Sequence, residues 1–320
     1  MRVQWTRRDI LPLALLAAAG APLASACSGG SDGSADDPIR QRTEDQAAAL
    51  AALYGPAVEA RFAGFRAHHL AHRAKLLGAV AADAAAPAPS ASAAAQLAPS
   101  GLAAAEHTAM TAGMADLPTA SGPLTGLLVN IAACRALHCA ALGAVAGAAT
   151  SSGTSSAAAS SSGAISVSDE SLAGAEPPIA TPTPGDLAAA QAILSAEHAA
   201  VYAYGALTPH LRGTQRDQAH GLYEMHRQLR DALETGIAAH GATPAAAVAA
   251  YTFPHPPSDP ASAVALASYV ESRVAAVCAN AAAVTTDAGR PYASWAVTEA
   301  CLRAYAWGAP ITAFPATLAA

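Results

Sequence analysis

The fold is decided by residues 193–205, ILSAEHAAVYAYG, an apolar run that carries Glu197 and His198 near its centre. Its apolar positions recur at steps of three and four residues, which is the period of an α-helix and places Glu197 on the apolar face. A buried carboxylate is costly unless it is neutralised, paired or bound to a cation. The stretch therefore predicts a helix that carries a charge into its core.

The surrounding sequence predicts three more helices of similar length and no alternating strand patterns. The four are helix A over about 184–206, helix B over 214–240, helix C over 260–284, and helix D from the turn at 287–291 to about 308. A single long, Pro-rich connection separates helix B from helix C. The sequence thus predicts an all-α fold with a four-helix bundle over 184–316.

Ionisable residues lie on or beside the predicted buried faces of all four helices. Glu197 lies on helix A, His226 on helix B and Glu299 on helix D, and Glu271 flanks the apolar stripe of helix C. Carboxylates and a histidine that converge in a bundle core can bind two iron or manganese ions. The alternative is a buried ion-pair network, in which loss of one charged partner strongly destabilises the folded protein. The arginines available for it are Arg227, Arg230, Arg273 and Arg303.

This region resembles the ferritin-like domain of exported lipoproteins from high-GC Gram-positive bacteria, a domain of unknown function. The segments that carry the resemblance are AAQAILSAEHAAVYAYGAL, MHRQLRDAL, HGATPAAAVAAYTFP, and TEACLRAYAW with ITAFP. The resemblance implies a ferritin-like bundle. Ferritins carry Glu-x-x-His on the second and fourth helices, whereas here Tyr223 stands three residues before His226 and Leu302 stands three after Glu299. A dinuclear, a single-metal and an empty site therefore all stay open.

Residues 1–26 are typical of an export signal. Arg7 and Arg8 precede an apolar stretch, and small residues then lead to Cys27, which fits twin-arginine export and resembles a lipoprotein cleavage box. The alternative is cleavage to a free secreted protein with an unmodified Cys27. We expect a lipid anchor at Cys27, a flexible tether over 27–40, and a location on the outer face of the cytoplasmic membrane.

Residues 41–148 predict a separate helical region, with a low-complexity break near 81–100, and a Ser/Ala/Pro-rich linker over 149–183 joins it to the bundle. A capping-box pattern at 43–46 predicts the start of its first helix. The expected helices are one from there to about residue 80, bent near 55–56, and two more over about 102–114 and 124–148. The last is apolar enough for a membrane span, but its arginine, histidine and asparagine favour a buried bundle helix.

Histidines and cysteines raise two further questions. His68 and His72 stand one turn apart, with His69 between them, and such pairs can bind zinc or copper, although a polar helix surface is the alternative. Glu106, and Arg135 with His138, again place ionisable residues inside predicted packed helices. Of the cysteines after the signal, Cys134 and Cys139 point in different directions on one helix. The remaining two, Cys278 and Cys301, could pair in an exported compartment.

Charge and motifs exclude several function classes. The net charge is −6, with no basic stripe for nucleic acid or anionic lipid. No nucleophile elbow, phosphate loop or dinucleotide fingerprint is present. We expect a membrane-tethered lipoprotein with a non-catalytic binding or structural role at the cell envelope, whose protein partner the sequence does not identify. The alternative is a protein that binds iron or manganese for oxidase or storage activity, which twin-arginine export of folded proteins favours.

Overall fold

A computed structural model of the chain describes residues 34–54, 62, 64–78, 98–151, 184–285 and 289–317. The predicted signal peptide, Cys27 and most of the predicted linker lie outside these residues. Within them the regular structure is helical and contains no strand, which confirms the all-α prediction. The α-helices of this part of the chain are α1 Asp37–Leu53, α2 Phe65–Leu77, α3 Pro99–Ala115, α4 Gly122–Ser151, α5 Pro184–Leu207, α6 Gly213–Ala239, α7 Pro260–Val284 and α8 Arg290–Ala306.

Helices α5 to α8 form the C-terminal bundle, in which α5 packs against α6 and α7, and α7 packs against α8. Local signals explain the helix ends. The Asp259 carboxylate accepts the Ser262 backbone N–H at 2.8 Å while the Ser262 hydroxyl accepts the Asp259 N–H at 3.0 Å, so α7 begins with a capping box. After α6, Gly241 has a φ of 76°, a conformation that glycine adopts without strain.

Helices α1 to α4 form the N-terminal bundle, in which α1 packs against α2 and α3 packs against α4. The single helix predicted from residue 43 to 80 is instead two helices. Thr43 does not cap α1 but lies inside it, where its hydroxyl donates to the Ile39 carbonyl at 2.8 Å. Asp37 and Pro38 start the helix earlier, because proline and an acidic residue both suit a first turn. The tether predicted over 27–40 is therefore shorter at its C-terminal end.

Helix α4 joins the two bundles, because it packs against both α7 and α8 as well as α3. At its start, Gly122 lies so close to the backbone carbonyl of Ala283 in α7 that a Cβ atom there would overlap it. Near the start of α8, the Arg290 guanidinium donates to the carbonyls of Leu117 at 3.0 Å and Ala120 at 2.7 Å. The bundles thus meet through backbone contacts as well as apolar side chains.

The segment that follows α8 returns to the N-terminal bundle. The His72 Nε2 atom donates to the Ala313 carbonyl at 2.7 Å, and the Phe314 ring lies edge-on to the same imidazole. The backbone N–H of Ala316 donates to the side-chain oxygen of Asn130 at 3.0 Å. Residues 313–316 therefore complete the packing of helices that precede them by more than a hundred residues.

Two helices of the described residues are long and apolar enough to cross a membrane, Gly122–Gly143 within α4 and Pro260–Val284. In their most apolar windows 61% and 50% of the residues are buried inside the fold. Core helices of a bundle have the same length and composition, so this finding is weak support for a membrane span. The burial agrees with the bundle helix expected over 124–148.

Candidate functional site

Three of the four predicted site residues meet in the core of the C-terminal bundle. The His226 Nδ1 atom lies 2.7 Å from Oε2 of Glu197, and its Nε2 atom lies 3.1 Å from Oε1 of Glu271. The three side chains are at most 2% exposed. One imidazole on α6 is therefore held between carboxylates from α5 and α7.

The surrounding side chains complete the pairing of Glu271. The Arg303 Nε atom donates to Oε2 of Glu271 at 2.9 Å, and the Tyr204 hydroxyl donates to Oε1 at 2.8 Å. The Trp307 indole N–H in turn donates to the Tyr204 oxygen at 3.0 Å. Both oxygens of this carboxylate thus have partners. We call this set the C-terminal cluster: Glu197, Tyr204, His226, Glu271, Arg303 and Trp307.

The electrostatics of the C-terminal cluster favour an ion network. Burial disfavours a charged imidazole, but Glu197 and Glu271 outweigh it and raise the pKa of His226 to about 9. Burial also disfavours a charged Glu271, yet Arg303 and His226 lower the pKa of that carboxyl to about 2. Two carboxylates therefore face one imidazolium and one guanidinium, and the formal charges cancel.

Glu299 does not join this cluster. It is half-buried on α8, and among the described residues no hydrogen bond or ion pair connects it to the other three. Burial raises its pKa, and Arg303 opposes the rise. The predicted face of helix D is therefore wrong by one position, because small apolar residues on most sides of α8 make its periodicity ambiguous. The residues buried on α8 include Ala293, Val297, Ala300 and Ala304.

Of the four arginines that the sequence offered, one joins the C-terminal cluster, two lie at the surface, and Arg273 lines a cavity between α5 and α7. Arg303 pairs with Glu271 and not with Glu299, which precedes it by one turn. Arg227 and Arg230 pair with carboxylates of their own helix at the surface, so they take no part in the buried network.

A second cluster, which was not predicted from the sequence, lies in the core of the N-terminal bundle. Oε1 of Glu106 on α3 accepts the Tyr54 hydroxyl at 2.7 Å. The same oxygen lies 2.8 Å from Nε2 of His69 on α2 and 2.9 Å from Nδ1 of His138 on α4. Glu106, His69 and His138 are 0% exposed. We call Tyr54, His69, Glu106 and His138 the N-terminal cluster.

Further histidine and thiol groups adjoin the N-terminal cluster. His138 Nε2 lies 3.0 Å from Nδ1 of His68 and 3.5 Å from Sγ of Cys134. Burial lowers the pKa of His138, and it lowers that of His68 to about 4, so both imidazoles are neutral at pH 7. Burial would raise the pKa of Glu106, but its hydrogen bonds to the two histidines hold it well below its usual range.

The two clusters differ in how completely their polar atoms are paired. In the N-terminal cluster, Glu106 Oε2 and His69 Nδ1 are buried and have no hydrogen-bond partner within the part of the chain that the structure describes. In the described part of the chain, no atom of the C-terminal cluster is in that state. Among the described residues, two groups of three side chains bring potential metal-ligand atoms within 4.8 Å of one another. They are His69 with Glu106 and His138, and His68 with Cys134 and His138. The metal site predicted from Glu197, His226, Glu271 and Glu299 is not one of these groups.

The sequence signal for the N-terminal cluster was present but local. Glu106 lies 37 residues after His69 and 32 before His138, and each of the three residues is on a different helix. Glu106 and His138 each interrupt an apolar helix, which is the same feature that identified Glu197, whereas His69 lies on a polar helix. The spacing along the chain gives no information about which of these interruptions meet.

The cysteines of the described residues, Cys134, Cys139, Cys278 and Cys301, are free thiols. The disulfide that the sequence allowed between Cys278 and Cys301 is therefore not formed. Burial raises the pKa of both thiols, so they pack as small apolar side chains.

A cavity of about 190 Å³ lies between α5 and α7 beneath the connection that follows α6. Small side chains of α5 leave this space, and aromatic rings close it. Arg273 on α7 also lines the cavity; its Nε atom is buried without a partner, and the guanidinium pairs with no described residue. The residues that line it include Ala192, Ala196, Ala199, Val248, Tyr251, Phe253, Tyr269, Arg273 and Val277.

Comparison with known proteins covers the C-terminal bundle. Residues 189–318 match the model of a family described as a domain of unknown function, DUF4439. A crystal structure of a conserved hypothetical protein from Mycobacterium tuberculosis is 30% identical, covering 40% of this chain and 97% of that chain, with a TM-score of 0.37. No curated protein was found to match. The C-terminal bundle is therefore similar to the DUF4439 family, a domain of unknown function.

Proposed function

We propose that the protein is an exported lipoprotein, anchored through Cys27 to the outer face of the cytoplasmic membrane, whose ferritin-like C-terminal bundle binds a small anionic amphiphile without catalysis. The observation that carries the binding role is Arg273, which lines the cavity between α5 and α7 and pairs with no residue that the structure describes. The anchor rests on the lipoprotein box, and the ferritin-like assignment rests on the sequence resemblance.

Arg273 supports a negatively charged ligand. A buried donor without a partner costs about 1–3 kcal/mol, which a bound anion would recover. A guanidinium presents its N–H groups in a planar fork that matches a carboxylate or a phosphate. The chain as a whole carries a net charge of −6, so an unpaired arginine in a cavity is a local exception.

The walls of the cavity support an apolar body on that ligand. Tyr251 and Phe253 pack against Tyr202 with ring centroids 5.3 and 5.5 Å apart, which gives the cavity a firm aromatic side. Tyr269 is 42% exposed, so the cavity reaches the surface. An engineered cavity of about 150 Å³ binds benzene, so a cavity of about 190 Å³ suits one aromatic ring or a short acyl chain.

We infer that the C-terminal cluster is a structural clamp rather than an iron or manganese centre. Both ring nitrogens of His226 are held by carboxylates, and Arg303 holds the second oxygen of Glu271. A metal ion would have to displace these charges, which already balance. Stoichiometric iron or manganese in the purified protein, lost on Glu197→Ala, would overturn this inference.

Isothermal titration calorimetry with octanoate, octyl phosphate and octanol tests the binding role. Octanoate and octyl phosphate should bind, and octanol should bind at least tenfold more weakly, because it lacks the anionic group. Arg273→Met should weaken octanoate binding about tenfold or more, because a hydrogen bond to a charged group contributes about 1.5–3 kcal/mol. The control is Arg227→Met on the exposed surface of α6, which should change nothing. No binding of octanoate, equal binding of octanol, or undiminished binding by Arg273→Met would refute the proposal.

Membrane fractionation tests the anchor separately. Cys27→Ser should release the protein from membranes, since the thiol is the predicted lipid attachment point. Unchanged membrane retention of this variant would defeat the lipoprotein assignment and leave the ligand proposal standing.

A further inference from the structure

We propose that the N-terminal cluster binds one divalent transition-metal cation of the zinc or ferrous-iron class, with His69 Nε2, the Glu106 carboxylate and His138 Nδ1 as its ligands. This inference is independent of the ligand proposed for the cavity beside Arg273. It concerns a different bundle, outside the residues that match the DUF4439 family.

The geometry brings suitable ligand atoms together from three helices. Nε2 of His69 and Nδ1 of His138 lie 2.8 and 2.9 Å from the same oxygen of Glu106. Ligand atoms around a tetrahedral zinc ion are about 3.3 Å apart, given metal–ligand bonds of about 2.0–2.1 Å. The cluster therefore has to open by only about half an ångström to admit a cation. Two imidazoles and one carboxylate are a donor set that zinc and ferrous iron both accept.

The C-terminal cluster shows what the N-terminal cluster lacks. In each, a tyrosine hydroxyl and an imidazole donate to one oxygen of a buried glutamate. In the C-terminal cluster the guanidinium of Arg303 holds the other oxygen, Oε2 of Glu271. In the N-terminal cluster the equivalent oxygen, Oε2 of Glu106, is buried and has no partner among the described residues. A bound metal ion would give this oxygen a positively charged partner in direct contact.

The nearby arginine does not fill that role. Arg135 is buried on α4, one turn before His138, but its Nη1 atom donates to the Gln46 side chain at 3.0 Å and to the Ala109 carbonyl at 2.8 Å. It makes no hydrogen bond to Glu106. Among the described residues, the hydrogen-bond contacts of this carboxylate are therefore two imidazoles and a phenol, and Arg135 acts on it only through its charge.

The surroundings also fix the orientation of one ligand. When His138 binds a metal through Nδ1, its proton resides on Nε2, which lies 3.0 Å from Nδ1 of His68. A second hydrogen bond of this kind holds a metal-binding imidazole in the correct tautomer. The Tyr54 hydroxyl, 2.7 Å from Glu106, likewise holds the carboxylate in place.

Titration of the chelator-treated, metal-free protein with Zn²⁺ and Co²⁺ tests the proposal. One equivalent of each should bind, and bound Co²⁺ should show the visible absorption of nitrogen and oxygen ligands without a thiolate charge-transfer band. Glu106→Gln and His138→Gln should each weaken Zn²⁺ binding about a hundredfold. The matched controls are Glu271→Gln and His226→Gln, the same substitutions in the C-terminal cluster, which should retain one equivalent.

Each contrary result has a distinct meaning for the site. No Zn²⁺ binding by the wild-type protein, or binding that survives Glu106→Gln and is lost in His226→Gln, would overturn the proposal. A cobalt charge-transfer band that disappears in Cys134→Ser would overturn the ligand assignment in favour of the set around His68. If Glu106→Gln fails to fold by circular dichroism, His69→Gln provides the same test at another ligand.

Discussion

Replacing His226 with glutamine should remove an alkaline pH dependence from the stability of the C-terminal bundle. The imidazole is 0% exposed and lies between the carboxylates of Glu197 and Glu271, which raise its pKa to about 9 in the folded protein. In the unfolded chain a histidine has a pKa of about 6.5. Folding is therefore linked to proton uptake by this residue between those two values.

The magnitude and sign of the effect follow from that difference. A folded-state pKa raised above the unfolded value stabilises the protein fully below pH 6.5 and loses its effect as the pH rises through 9. A shift from 6.5 to about 9 corresponds to about 3 kcal/mol. The wild-type protein should thus lose about 3 kcal/mol of stability between pH 6.5 and pH 9.5 that His226→Gln does not lose.

Denaturant unfolding followed by tryptophan fluorescence provides the measurement. Trp295 lies on α8 and Trp307 directly after it, and Trp307 hydrogen-bonds to Tyr204 in the C-terminal cluster, so the signal reports on this bundle. The comparison is the free energy of unfolding of both proteins at several pH values from 6.5 to 9.5. His220→Gln, an exposed histidine of the same helix, is the control and should follow the wild-type curve.

Two outcomes of this measurement would contradict a protonated His226 in the folded protein. If wild-type and His226→Gln curves stay parallel across this range, the imidazole gains no proton affinity on folding and the ion network is not as described. If the wild-type protein instead gains stability relative to His226→Gln as the pH rises, the pKa of His226 is lowered rather than raised by folding.

Two further predictions concern packing and hydrogen bonding. Gly122→Ala should destabilise the protein by about 1–3 kcal/mol, because the new methyl group overlaps the Ala283 carbonyl. Gly143→Ala, at an open position of the same helix, is the control and should stabilise the protein by about 0.5–1 kcal/mol. Thermal unfolding that shows no difference in stability between the two variants would contradict the contact between α4 and α7. Trp307→Phe should cost about 1 kcal/mol or more in denaturant unfolding, because the buried Tyr204 oxygen loses a donor at 3.0 Å, and an unchanged unfolding midpoint would show that this hydrogen bond adds no stability.

The sequence predicted features that depend on short-range signals. The start of α7 at Pro260, the start of α5 at Pro184 and the inward position of Glu197 each depend on residues within one or two turns of a helix. Steric and hydrogen-bonding rules act at that range, so a pattern in the chain carries the information.

The sequence did not predict features that depend on a clear contrast between the faces of a helix or on contacts between residues far apart in the chain. The face of α8 was misplaced because alanine is apolar but small, so the helix has no sharp boundary between a buried and an exposed side. Thr43 matches a capping box, yet Asp37 and Pro38 start α1 before it. Glu106 meets His69 and His138 only after three helices have packed, which no local pattern encodes.

The return of residues 313–316 onto the N-terminal bundle has a consequence for how the molecule is assembled. His72 and Asn130 receive their hydrogen-bond partners from residues that follow α8, so the N-terminal bundle stays incomplete until synthesis has passed residue 316. Nascent α1 to α4 should be open to proteases and chaperones until that segment has been made. Proteolytic removal of residues 313–316 would accordingly loosen α2 and α4, which lie more than a hundred residues earlier in the chain.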